Sequence, residues 1–65
     1  MTEFELKVVK MIADCDMSLQ MAANKLYVHR NTLTYHIKKI KQRTGLDARR
    51  FYDLLKLLDF ASEKE

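Results

Sequence analysis

The stretch VHRNTLTYHIKKIKQRTG, residues 28–45, places Leu33, Ile37, Ile40 and Thr44 at i, i+4, i+7 and i+11. That spacing predicts one helix with an inward stripe, closed by Gly45, the chain's single glycine. Asn31, Thr34, Tyr35, Lys38 and Gln42 turn away from the stripe, with Arg30, Thr32, Lys39 and Lys41 on the flanks. A solvated helix face ordinarily mixes charges of both signs, placed for i,i+4 pairing. This helix has five bases, Arg30, Lys38, Lys39, Lys41 and Arg43, and no acid. Such a face calls for a negatively charged partner.

The rest of the chain sharpens that contrast. Residues 25–50 hold eight bases against Asp47 alone, a balance of +7, whereas the segments on either side each carry −2. Positive charge is concentrated in the middle of the sequence, the pattern of a polyanion-binding surface on an otherwise ordinary domain. Sixty-five residues suit one domain, and a hydrophobic share of 48% is enough for a compact fold. The chain has no proline, so strand-and-turn architectures find little punctuation. The single Cys15 cannot form an internal disulfide, as expected of a reducing cytoplasm. MTEFELK shows no signal-peptide pattern, and no apolar run approaches the roughly 18 residues of a membrane span.

Working outward, the pattern predicts an all-α domain of four helices, at about 3–14, 18–25, 30–43 and 48–62. The expected inner residues are Phe4, Val8, Met11 and Ile12 in the first and Leu19, Ala22 and Ala23 in the second. In the fourth they are Phe51, Leu54, Leu55, Leu58 and Ala61. Ser18 and Asp47 are the expected N-caps of the second and fourth helices. Only Leu26, Tyr27, Val28 and His29 separate the second helix from the third, too few for a comfortable antiparallel return. A short helix, a tight turn and a longer helix crossing steeply form a helix-turn-helix. Ala23, Tyr27 and Leu33 stand where that motif usually shows alanine, glycine and a branched aliphatic. Tyr27 departs from glycine, so the turn is expected to use another backbone conformation, because a bulky residue at positive φ is penalised.

LYVHRNTLTYHIKKIKQRTGLD, residues 26–47, resembles the C-terminal helix-turn-helix of the PucR and carbohydrate-diacid regulator family of bacterial transcription factors. The residues that carry the likeness are VHRNTL, the basic helix ending near TGLD, and the apolar helix from Phe51 to Leu58. The preceding SLQMAANKLYVH resembles that family's second helix, where a bulky residue at the Tyr27 position is also usual. Family members are generally longer, with sensory regions N-terminal to this domain. The resemblance therefore favours a single DNA-binding domain, residues 1–65, excised from a longer bacterial regulator over a stand-alone module.

If the second of the paired helices enters a major groove, each exposed residue has a chemical task. Arg30 can offer its fork to guanine and Asn31 can pair with adenine. Thr32 and Thr34 present a hydroxyl and a methyl, and Tyr35 can reach a phosphate or a thymine methyl. Ser18, Gln20, His29, Lys38, Lys39 and Lys41 are the expected backbone contacts. The blander readings are that Asn31 satisfies backbone groups at the helix start, that Tyr35 has no partner, and that His29 is a cap.

Catalytic and metal chemistry find little support. His29 and His36 are seven residues apart, about 10 Å along a helix axis and too far for one zinc. Asp14, Cys15 and Asp16 read as ordinary loop residues, and no phosphate-cradling glycine loop is present. Neither an enzyme nor a cofactor or metal is expected. The competing reading is a helical module whose basic face docks an acidic protein, but such a face favours apolar anchors over Arg30, Asn31, Thr32 and Thr34. RNA binding lacks a run of stacking aromatics. Leu6, Val9, Leu57 and Phe60 fall outside the inner stripes, which predicts an apolar patch on the first and fourth helices. That patch would serve a homodimer or contact a missing sensory region. A dimer would set two reading helices about 34 Å apart.

Overall fold

The computed structural model describes the backbone of residues 1–64 and the side chains of residues 1–62. Its elements are α1 (Glu3–Asp14), α2 (Leu19–Leu26), α3 (Arg30–Thr44) and α4 (Phe51–Lys64), with no strand among the described residues. Helix α1 packs against each of the other three, α2 also packs on α3, and α4 rests on α1. The expected all-α, four-helix architecture is present.

The central place of α1 explains a difference from its periodicity. A helix with neighbours on three sides must bury more than one stripe, and Val8, Val9 and Ile12 are all fully buried. Val9, expected outside, is core; Phe4 and Met11, expected inside, are half-buried at its rim. Helix α1 starts with a capping box: the Thr2 hydroxyl accepts from the Glu5 N–H at 3.1 Å, and the Glu5 carboxylate accepts from the Thr2 N–H at 2.8 Å.

Both α1 and α2 end in the same way. Asp16 at φ 55° and Tyr27 at φ 58° are left-handed, each followed by an amide that reaches five residues back, Met17 to Ile12 and Val28 to Ala23. These are Schellman closures, which glycine usually supplies. The turn between α2 and α3 thus keeps the left-handed conformation, contrary to the expectation from Tyr27. The closing hydrogen bonds and the seating of Val28 on the core hold a tyrosine there. Cys15, read as a loop residue, is buried in the core at the first of these turns.

Leu33, Ile37 and Ile40 are buried as the spacing predicts. Thr44 is not: it is exposed, donating its hydroxyl to the Ile40 carbonyl and accepting from the Leu46 N–H. Gly45 closes α3 at φ 78° with its N–H on the Lys41 carbonyl. Open space surrounds the position where a Cβ would project, so backbone conformation alone calls for glycine.

Helix α4 begins three residues later than expected. Asp47 does not cap it but organises the turn before it, accepting from the Arg49 N–H while its own N–H donates to Asp53 in the first turn of α4. The first α4 bond then runs from the Leu54 N–H to the Arg50 carbonyl. The buried stripe is Leu54, Leu57 and Ala61, with Leu58 beside it. Phe51 and Leu55, expected inside, are 56% and 46% exposed, whereas Leu57, expected outside, is fully buried. The helix is apolar on several faces, and contact with α1 alone selects which face turns inward.

Candidate nucleic-acid interface

The exposed surface of α3 begins with its cap. His29 has extended backbone angles, and its Nδ1 accepts from the Asn31 N–H at 3.0 Å. An accepting Nδ1 puts the neutral ring's proton on Nε2, so the ring offers a donor away from the helix. An aspartate could cap here equally well and would suit the positive end of α3, but its charge would repel an incoming anion where the neutral ring does not. The cap reading of His29 holds, and the outward donor keeps it available for a phosphate.

Arg30, Asn31 and Thr32 follow on the first turn, all exposed, with no side-chain hydrogen bond or ion pair among the described residues. Asn31 therefore does not spend its amide on the helix start. Thr34 is different: it is half-buried and its hydroxyl donates to the Arg30 carbonyl at 3.0 Å. That leaves its methyl and lone pairs for an outside partner. Tyr35, one turn beyond Asn31, is 55% exposed. The Lys39 ammonium lies 5.4 Å from the centre of its ring, which steadies both side chains. Lys38 and Lys41 are exposed, while Lys39 is half-buried. Tyr35 and Lys39 form a ridge between two open clefts of about 220 Å³ each, one of them completed by Lys38 and Gln42.

Ser18 and Gln20 mark the start of α2. The Ser18 hydroxyl accepts from the Met21 N–H at 3.3 Å, the expected cap, and Gln20 donates to Asn24 at 3.1 Å. Both retain polar atoms for a further contact.

The fifth base of α3 does not belong to this face. The Arg43 guanidinium grips the Glu5 carboxylate, which is 2% exposed. Burial pushes this carboxyl up, but the Thr2 backbone N–H and the Arg43 charge outweigh that effect and hold it below the usual carboxylate range. Asp47 is likewise held low, first by its hydrogen bonds from Arg49, with its burial opposing. Glu5 and Asp47 are thus each matched to an arginine; Arg30 and Lys38 have no carboxylate partner among the described residues, and the Lys41 charge helps hold Asp47 low. The Thr2-x-x-Glu5 capping signature was legible in the sequence; its link to Arg43, 38 residues away, was not. His36, weighed as a metal ligand, packs edge-on against Phe4 with ring centres 4.8 Å apart.

Comparison with known proteins matches residues 6–59 to a family model described as the PucR C-terminal helix-turn-helix domain. An uncharacterized Bacillus subtilis protein, YxkF, is 35% identical over 51 residues, covering 77% of this chain and 17% of that protein. An uncharacterized Haemophilus influenzae protein is 46% identical over 46 residues, covering 71% of this chain and 12% of that one. The chain spans less than a fifth of the length of either relative. No solved structure matches it at a significant level.

Proposed function

The chain belongs to the PucR C-terminal helix-turn-helix family, and from that premise we propose that it binds duplex DNA sequence-specifically for a bacterial, cytoplasmic transcription regulator. The observation that carries this reading is the polar and basic surface of α3, from Arg30 to Lys41, which has no acid on it. On that surface Arg30, Asn31, Thr32 and Lys38 make no side-chain hydrogen bond or ion pair among the described residues. Arg30, Asn31, Thr32, Thr34 and Tyr35 read base edges from the major groove. Lys38, Lys39 and Lys41 neutralise phosphates where α3 leaves it, and Ser18, Gln20 and His29 hold the backbone beside it. Thr34 reads through its methyl, because its hydroxyl proton is already placed on Arg30.

The competing reading, docking of an acidic protein through the same face, has Tyr35 as its only large apolar anchor on the outer side of α3. Among the described residues no helix is long and apolar enough to cross a membrane. The partner surface on α1 and α4 is revised by the fold. Val9 and Leu57 are buried and Leu6 is half-buried, so Phe60, with Phe51, Tyr52 and Leu55, makes up the apolar surface that α4 offers to a second copy or to a sensory region. Sedimentation of the chain with and without duplex separates a dimer from a monomer.

The deciding experiment is fluorescence anisotropy with random-sequence duplex, the same single strand and polyglutamate, each at two salt concentrations. Duplex should bind tightest, and its affinity should fall steeply with salt as counterions are released. Changing Lys38, Lys39 and Lys41 together to Glu should abolish that binding. Polyglutamate bound as tightly as duplex, or random-duplex affinity surviving the triple change at low salt, would overturn the proposal.

A further inference from the structure

Tyr27 is 94% exposed, and its side chain makes no hydrogen bond, ring contact or ion pair among the described residues. Its backbone nevertheless sits at φ 58°, ψ 40°, a region that disfavours every residue with a Cβ. The turn does not require the ring. Its closing bonds, from the Tyr27 N–H to Asn24 and from the Val28 N–H to Ala23, are backbone bonds that glycine would make with less strain. The backbone bonds hold the turn, but the ring makes no hydrogen bond, ring contact or ion pair that offsets its cost at this position. That points to a constraint on the side chain from outside the fold.

The surroundings indicate what that constraint is. Tyr27 stands in the turn between α2 and α3, two residues before the His29 cap and three before the exposed Arg30. Lys25 lies in the last turn of α2 on its other side. A phenol here presents an O–H donor on an exposed stretch that also carries Lys25, His29 and Arg30, and no group of the fold accepts from it among the described residues. We propose that Tyr27 is a further DNA contact, its hydroxyl donating to a backbone phosphate at the edge of the groove that α3 enters. A phosphate rather than a base is the acceptor, because the turn lies outside the helix that penetrates the groove. This inference rests on the duplex-binding reading and adds a residue to it.

Tyr27→Phe and Tyr27→Gly test it, each melted thermally and titrated with random-sequence duplex, which suffices for a sequence-independent contact. Tyr27→Phe should melt like the parent chain and bind about two- to tenfold more weakly, the loss of one hydrogen bond. Tyr27→Gly should melt higher, since the left-handed position is relieved, and still bind more weakly. Both variants binding as the parent chain does would overturn the inference while leaving duplex binding in place. A Tyr27→Gly variant that melts lower would assign the ring to the fold and overturn it equally. A parent chain that binds no duplex at low salt would remove the underlying reading and this one with it.

Discussion

Arg43 Nη1 lies 2.7 and 2.8 Å from the two oxygens of the Glu5 carboxylate, tying the C-terminal end of α3 to the first turn of α1. The same carboxylate closes the α1 capping box through the Thr2 N–H. One buried acid thereby closes the start of α1 and joins it to the end of α3. Glu5→Gln keeps the shape and the box but weakens the grip on Arg43. It should destabilise the fold by about 1–2 kcal/mol, the lower part of the range for a charged hydrogen bond, since Arg43 remains half in water. Denaturant unfolding measures this. A change too small to resolve would make the pair incidental.

The same contact predicts an acid limit. Glu5 and Asp47 are both held below their ordinary values of 4.5 and 3.8. A carboxylate depressed on folding stabilises the native state above its unfolded value, and that contribution is lost as pH falls through the folded one. With respect to these two groups, melting temperature should stay level down to about pH 5 and fall as the pH drops below the ordinary carboxylate range. Glu5→Gln should remove the earlier part of that fall and leave the part due to Asp47. Identical acid slopes in the two proteins would refute the assignment.

The rotated face of α4 gives a third prediction. Leu57→Ala deletes a fully buried side chain and should destabilise by about 2–5 kcal/mol, whereas Leu55→Ala, at a position 46% exposed, should cost less than about 1 kcal/mol. The sequence pattern implies the reverse order, so a pair of unfolding curves distinguishes the two registers.

That reversal shows where periodicity stops being informative. Helix α3 has one apolar stripe on a polar cylinder, so Leu33, Ile37 and Ile40 could be placed from spacing alone, and the capping roles of Ser18, His29 and Gly45 followed from residue chemistry. Helix α4 offers Phe51, Leu54, Leu55, Leu57, Leu58 and Phe60 around much of its circumference, and only its contact with α1 chooses among them. The exposed bases and polar residues of α3 were legible because a free surface needs no partner to be recognised. Arg43 counts among the bases of that helix with no sign of its role, because its partner is remote in sequence and no local rule connects it to Glu5. Tyr27 was read correctly as unusual, but the backbone hydrogen bonds that hold it left-handed exist only in the folded turn.

Arg30→Ala should leave the melting temperature nearly unchanged, since the side chain is exposed and makes no hydrogen bond or ion pair among the described residues. On the preferred site it should cost about 1–3 kcal/mol and relax specificity at one base pair. Selection from a randomised duplex pool, run on both proteins, reads the specificity directly. Equal losses on preferred and random duplex would make Arg30 a phosphate contact.

His29 joins a folding role and a binding role in one ring, and substitutions can separate them. Its Nδ1 caps α3 through the Asn31 N–H, leaving Nε2 to face outward. His29→Ala removes the cap and should lower stability by about 1 kcal/mol. His29→Asp supplies a good cap, and its charge suits the positive end of α3, so stability should be at least that of the parent chain. The same charge would face the phosphates, so random-duplex affinity should fall further for Asp than for Ala despite the sounder fold. His29→Asn, a neutral cap with an amide donor, should lie between them in affinity while matching Asp closely in stability. Thermal melts and duplex titrations on the three variants give the two orders independently. If Asp binds duplex as well as the parent chain, the outward side of His29 does not meet the phosphate backbone, and the ring is a cap alone.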